Sequence, residues 1–343
     1  MLPFSSLFQY LFAVSAFLMA KAGGCFFQIG YFLYTRTRIG YWYHQKEISR
    51  ARQKLGHAGH SKTDVIEYQD LSILPIPMLL DNYAYLITDK STNTSVIIDP
   101  GDPEPVQLIL DEKGITPEAL IITHKHWDHS GGNGVMKNRY RNLRIYGGAM
   151  DHVPNITNPV ADGDILMFGS LKFHAMFTPG HTVGHIVYLL DGSPFGVPNS
   201  LFSGDHVFLS GCGRMFEGSS STMLRSLDSI CSLGDDVLVW PGHEYASDNL
   251  EFSLHLEKEN CDAQEKYEWV KNQRDNNLPT CPSTIGEEKK YNPFLRTGQE
   301  SLLHAIGLCE GDNFEHSTEP GFEIRAQALA EVRSRKDLFK YKL

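Results

Sequence analysis

The chain has 343 residues, 41% of them hydrophobic and 21% charged, which excludes wholesale disorder and low-complexity fibre, and its six cysteines are too sparse for a disulfide scaffold. The formal net charge is −10 but uneven: residues 1–60 set seven basic side chains (Lys21, Arg36, Arg38, Lys46, Arg50, Arg52, Lys54) against Glu47 alone, +6, which leaves −16 for the remainder. A basic arm on an acidic body points to a membrane-facing or tethering arm and away from a nucleic-acid-binding core, so no nucleic-acid partner is expected.

Residues 1–20 contain no charged side chain, and residues 22–35 are again uncharged after Lys21. Twenty helical residues reach roughly 30 Å, one hydrocarbon thickness. No basic region precedes this leader and the basic cluster follows it, which favours an uncleaved anchor with the body inside. Ala20-Lys21-Ala22 has the small-x-small look of a cleavage site, so cleavage stays open. So does an apolar arm packed on the body. Tyr31, Tyr34, Tyr41, Trp42 and Tyr43 suit the headgroup level of an interfacial helix, and membrane contact is expected through residues 1–45. The catalytic body is expected in the cytoplasm, with mitochondrial association left open. Residues 55–63, LGHAGHSKT, read as a linker in which His57 and His60 are solvated.

From Leu71 onward, short apolar runs alternate with turn signals. ILPIP (73–77), AYLIT (84–88), SVIID (95–99) and ALIIT (119–123) read as strands, with a helix over 105–113. Further strands follow at 143–147, 164–168, 171–177, 185–190, 200–205 and 237–242. Helices are predicted over 223–233, 248–259, 263–277 and 322–340, and the polar acidic stretch 310–320 as a loop. Two mixed sheets with helices outside is the architecture this order implies.

The chemistry centres on ALIITHKHWDHSGGN (119–133). A buried strand ends at Thr123, and His124, His126, Asp128 and His129 follow at once; loops at strand ends are where sites are built. Imidazole and carboxylate together suit zinc or iron. Three later segments repeat a turn that ends in a candidate ligand: His181 in FTPGHTVGH, Asp205 in LFSGDHVF and His243 in VLVWPGHEY, each after a Gly. Seven such residues fit two ions that share one carboxylate: His124, His126 and His181 on the first, Asp128, His129 and His243 on the second, Asp205 between them. Two ions about 3.5–4 Å apart hold a hydroxide at neutral pH and polarise a scissile bond. His174 reads as structural, His206 as a weak candidate, and His185 as support for a ligand or merely the start of a strand. Cys212, within Gly-Cys-Gly, reads as a small filler; with no G-x-S-x-G present, nucleophilic Ser or Cys catalysis has no support.

Thr-His-x-His-x-Asp-His, then Pro-Gly-His-Thr, Gly-Asp and Gly-His-Glu-Tyr, resembles the pattern of metallo-β-lactamase-fold hydrolases, over roughly residues 70–343. SGCGRMFEG (210–218), CPSTIGEEKKYNPFLR (281–296) and VRSRKDLFK (332–340) make the chain most similar to glyoxalase II, the hydroxyacylglutathione hydrolases. The resemblance implies an α/β fold, the αββα metallo-β-lactamase sandwich with a helical carboxy-terminal portion. Three segments are expected: from the residues, an apolar membrane-associated leader and basic arm or linker at 1–63; from the resemblance, the metallo-β-lactamase-like domain at 64–246 and a helical hydroxyacylglutathione-hydrolase-like domain at 247–343. The resemblance also implies hydrolysis of a glutathione thioester to a hydroxy acid and free glutathione, with two divalent ions, zinc first and iron or manganese as alternatives. The family's glycine-rich loop reads like GCGKFYEG, whose Lys and Tyr touch the tripeptide. Arg214 and Phe216 stand at those positions, so the charge is kept and a hydroxyl is lost. Tyr245 is retained, and Arg333 and Lys336 match the basic pair that holds the glycine carboxylate.

The expected mechanism is attack of a metal-bridging hydroxide on the thioester carbonyl, oriented by Asp128 or Asp205. Thiol pKa values near 8.5 let the thiolate leave without a strong acid. The rival readings are a persulfide dioxygenase of the same fold with one iron, a nuclease of the same fold, and a membrane-tethered regulatory or interaction protein with weak hydrolase activity. The seven-residue ligand set argues against the dioxygenase and the acidic body against the nuclease.

Overall fold

The computed structural model describes residues 25–56, 59–308 and 320–339. The apolar leader 1–20, His57 and the polar loop 310–320 (save Pro320) therefore lie outside the described residues. The chain divides into two compact units, Met1–Arg50 and Ala51–Leu343. In the first, helix Cys25–Arg36 is followed by helix Arg38–Leu55, which runs on into the second unit. Within the first unit Lys46 Nζ sits 3.6 Å above the exposed Trp42 ring. Among the described residues no helix is long and apolar enough to cross a membrane.

The second unit holds two sheets. β1 (Ile66–Glu67), β2 (Leu71–Met78), β3 (Asn82–Asp89), β4 (Thr94–Ile98), β5 (Ala119–Ile122), β6 (Arg144–Gly148) and β7 (Asn158–Val160) form the first, in chain order. It is antiparallel through β4 and parallel from β4 to β7. β8 (Ile165–Phe168), β9 (Leu171–Phe177), β10 (Ile186–Leu190) and β11 (Ser200–Gly204) pair antiparallel in the second sheet. A small hairpin of β12 (Val207–Phe208) and β13 (Gly211–Cys212) intervenes, β14 (Leu238–Pro241) pairs parallel with β11, and β15 (Ser283–Thr284) completes the edge.

Alternation along the strands explains the layering. Ile73, Tyr85, Ile87, Val96, Ile98 and Ile121 of the first sheet meet Phe173, Ala175, Tyr188, Phe202 and Trp240 of the second in one core. The opposite face of the second sheet, Val187, Leu201 and Val239, packs on Met223, Leu227, Phe252, Leu329 and Val332 from helices Ser220–Cys231, Ala246–Leu256 and Phe322–Phe339. Helix Pro103–Lys113 lies against β2. Its start is set by Asp102, whose side chain accepts from Glu104 N–H, and its end by Gly114 at φ +65. The result is the αββα sandwich with a helical carboxy-terminal region. The predicted strands and long helices are found within a few residues of their expected bounds. The short helices Asn133–Arg139, Ile285–Tyr291 and Glu300–Ile306 were not anticipated.

One expectation is overturned: His60 is buried, not solvated. Its Nε2 lies 2.8 Å from the Asn82 carbonyl and its Nδ1 2.9 Å from Ser61 Oγ. Arg274 donates to both the His60 carbonyl and Ser61 Oγ, which pins the linker down.

Candidate metal centre

Parallel pairing aligns strand ends. β4 and β5 end side by side in the first sheet, and β11 and β14 do so in the second. The chain leaves β5 into His124, β11 into Asp205 and β14 into Gly242-His243, while the β9–β10 connection carries His181. Gly242 is required by this crowding: a Cβ there would fall 2.7 Å from His129 Cε1 and 2.8 Å from Asp205 Oδ1.

The structure gathers the seven side chains named from the sequence into two groups: His124, His126, His181 and Asp205; and Asp128, His129 and His243. His124 Nε2 and His181 Nε2 each lie 3.0 Å from His126 Nδ1. Asp205 Oδ2 is 3.3 Å from His181 Nε2 and 4.0 Å from His124 Nε2. Its other oxygen, Oδ1, is 3.2 Å from His129 Nε2 and 3.3 Å from His243 Nε2. Asp128 Oδ2 stands 3.6 and 3.4 Å from the same two nitrogens. Asp205 thus presents one oxygen to each group.

This arrangement fits divalent cations. Ligands about 2.0–2.2 Å from a tetrahedral centre stand roughly 3.3 Å apart, as these donors do. Asp205 Oδ1 is buried without a hydrogen-bond partner, and three imidazole nitrogens converge in the first group with more lone pairs than protons can satisfy. Burial, then the neighbouring imidazoles, pushes His124 and His126 well below the ordinary histidine value; burial also lowers His181. Burial works the same way on His129, but Asp205 and Asp128 outweigh it and raise that group to about 10.

Supporting residues that the sequence pattern did not single out lie behind the ligands. Asp99 Oδ2 is 2.9 Å from His129 Nδ1, and Asp81 Oδ1 is 2.8 Å from His243 Nδ1. Asp99 follows the end of β4 just as the ligands follow their strands, and that signal could have found it; Asp81, in the β2–β3 turn, carries no such mark. Asn82 Nδ2 donates to Asp128 Oδ2 at 3.1 Å. Lys125 occupies a free position of the His-x-His motif, yet it is 1% exposed and bonded to both Glu217 oxygens at 2.6 Å. Glu217 also accepts from Val183 N–H, so this pair ties the His124–His126 loop to those of His181 and Phe216. His185 stacks on His124 with centroids 5.0 Å apart, a supporting place; His174 lies in β9. His206 is buried and in neither donor group. Burial pushes the Cys212 thiol up to about 12, as suits a filler.

Of the predicted substrate contacts, Phe216 and Arg214 lie at the first group and Tyr245 at the second, while Arg333 and Lys336 pair with other parts of the chain. The Phe216 ring packs edge-on to His126 and His181, with centroids 5.6 and 5.3 Å away. Tyr245 stacks on His243 at 4.6 Å. The Arg214 carbonyl accepts from His181 Nδ1 at 2.8 Å, and its side chain meets Asp337, as does Arg333. Lys336 Nζ donates to the Asp248 carbonyl at 2.6 Å.

A sandwich with paired donor groups at its strand ends has the architecture of a metal-dependent enzyme. Residues 78–155 match the metallo-beta-lactamase superfamily, and residues 244–339 match the hydroxyacylglutathione hydrolase C-terminus. The chain is 37% identical over 272 residues to a protein of Arabidopsis thaliana described as hydroxyacylglutathione hydrolase cytoplasmic, which spans 79% of this chain and all of that one. It is 41% identical to hydroxyacylglutathione hydrolases of Thermosynechococcus vestitus and Photobacterium profundum, over 69% of this chain and 93% and 90% of theirs. The chain belongs to the hydroxyacylglutathione hydrolase family of metallo-β-lactamase-fold hydrolases.

Proposed function

We propose that the protein hydrolyses hydroxyacylglutathione-like thioesters at a dinuclear zinc centre held by His124, His126 and His181, by Asp128, His129 and His243, and by Asp205 between them. The observation that carries this reading is Asp205, with one oxygen turned to each donor group. Two divalent ions in these groups would supply hydroxide at neutral pH and polarise the thioester carbonyl.

The rest falls to the chain. Asp128 or Asp205 would orient the attacking oxygen. The leaving thiolate, with a thiol pKa near 8.5, needs no strong acid beside it. Arg214, Arg333 and Lys336 give a local positive field on an acidic body and draw the carboxylates of the thiol half. Phe216 offers an apolar face beside the first group, and Tyr245 holds the His243 ring by stacking.

The same proposal places the full chain at a membrane through residues 1–45, with the body in the cytoplasm. It rests on the charge-free stretch 1–20 and the basic residues behind it. The test is steady-state hydrolysis of S-D-lactoylglutathione by the full chain, with metal content assayed on the same sample. Turnover with about two zinc ions per chain is expected. A fully metallated chain without turnover sinks the thioesterase reading. Failure to sediment with lipid vesicles sinks the membrane one.

A further inference from the structure

Both guanidiniums assigned to the thiol half meet the same internal acid. Asp337 Oδ1 accepts from Arg333 Nη2 at 2.8 Å and from Arg333 Nε at 3.2 Å, and it lies 3.2 Å from Arg214 Nε. Arg333 and Asp337 are one turn apart on helix Phe322–Phe339, while Arg214 comes from the loop after β13.

Arg333 does not depend on Asp337 for its place. Its Nη1 donates to the Cys212 carbonyl at 3.2 Å, its guanidinium carbon lies 5.2 Å from the Phe294 ring centroid, and its side chain is 11% exposed. Asp337 and Arg214 are 41% and 43% exposed. The Arg214–Asp337 contact therefore stands at a wet rim, where exposed ion pairs are weak, while Arg333 holds the acid from its more buried side.

We propose that Asp337 is a carboxylate gate: in the free protein it occupies Arg214 and Arg333, and a carboxylate on the thiol half of the substrate must displace it. This deepens the thioesterase reading and rests on it. Two guanidiniums and one carboxylate leave a net charge of +1 where an incoming anion would otherwise meet +2. A tethered competitor acts at a high effective concentration. Asp337 therefore weakens binding of carboxylate-bearing thiols and leaves thiols without that group untouched, so it shapes selectivity without touching the reacting atoms.

The test compares the metal-loaded full chain with Asp337→Asn and Asp337→Ala, on S-D-lactoylglutathione and on S-D-lactoyl-N-acetylcysteamine, whose thiol lacks carboxylates. In both variants KM for the glutathione thioester should fall about two- to fivefold, with kcat and the KM of the N-acetylcysteamine thioester unchanged. Calorimetry with S-hexylglutathione, which cannot be hydrolysed at that position, should show the same gain in affinity. A KM that rises or stays fixed overturns the gate and makes Asp337 a positioning group or a bystander. A parallel shift on both thioesters overturns it too. No turnover of either thioester by the parent enzyme sinks the thioesterase reading, and the calorimetry then still decides the gate.

Discussion

The two halves of the centre use the same residue types but are held from behind differently. Behind two imidazoles of the first stand neutral oxygens: Thr123 Oγ1 at 3.1 Å from His124 Nδ1 and the Arg214 carbonyl at 2.8 Å from His181 Nδ1. Behind the second stand carboxylates, Asp99 at His129 and Asp81 at His243. A carboxylate behind an imidazole fixes its tautomer and raises its basicity more than a neutral oxygen does. The second half also has Asp128 of its own. The first half is covered by Phe216 and tied through Glu217 and Lys125 to the loop that carries Arg214. Carboxylates are thus concentrated behind the second group, and an aromatic ring and a buried ion pair flank the first.

Asp205→Asn would break the comparison altogether, because both halves use this carboxylate. Metal content should fall below two per chain and turnover by more than about a thousandfold; mass-spectrometric metal analysis and a steady-state assay check it. Full metal loading by the variant would show that Asp205 joins nothing.

Asp81→Asn sharpens the difference. It keeps the shape behind His243 and removes the charge. The affinity for one ion should fall about 10- to 100-fold while the other is held as before. Titration with a chelator should then show one step moved and one fixed. Two steps that move together would mean the halves are not supported separately.

The seven candidate donors were legible because they cluster in the turns and loops that follow strands, and three of the seven directly follow a Gly. The strands were legible as short apolar runs bounded by turn signals, and β5 and β11 are indeed buried along their whole length. The supports were not, because their meaning is made by folding: Asp81 and His243 are 162 positions apart, and Lys125 and Glu217 are 92. Asp81-Asn82 reads as an ordinary turn, and a Lys between two His reads as solvated until the fold seals it against Glu217 and Asp151. The short helices lack two full turns of apolar periodicity to betray them. The fully charged pairing at Arg214, Arg333 and Asp337 was hidden for the same reason, since Arg214 and Asp337 meet only when loop and helix close.

His60 tests how far the support of the second half extends. It lies 2.8 Å from the Asn82 carbonyl, and the Asn82 side chain reaches Asp128. Burial lowers the His60 pKa below 6.5; the Asn82 carbonyl, Glu244 and Asp81 pull it back up, and Arg274 adds to the lowering. The folded chain therefore refuses a proton that the unfolded chain accepts. A group with a depressed folded pKa of this kind leaves stability intact above pH 6.5 and erodes it as pH falls from 6.5 toward the folded value, by at most about 1.4 kcal/mol per pH unit. His60→Gln removes that titration and leaves every other histidine in place. The variant should melt lower at pH 7.5, where the bond to Asn82 is weakened. Its further loss between pH 7 and pH 5 should be shallower than the parent's, by about 2–4 °C for each 1 kcal/mol of titration removed. Parallel melting curves for the two proteins across that range would place His60 outside the acid response and end the support of the second half at Asn82.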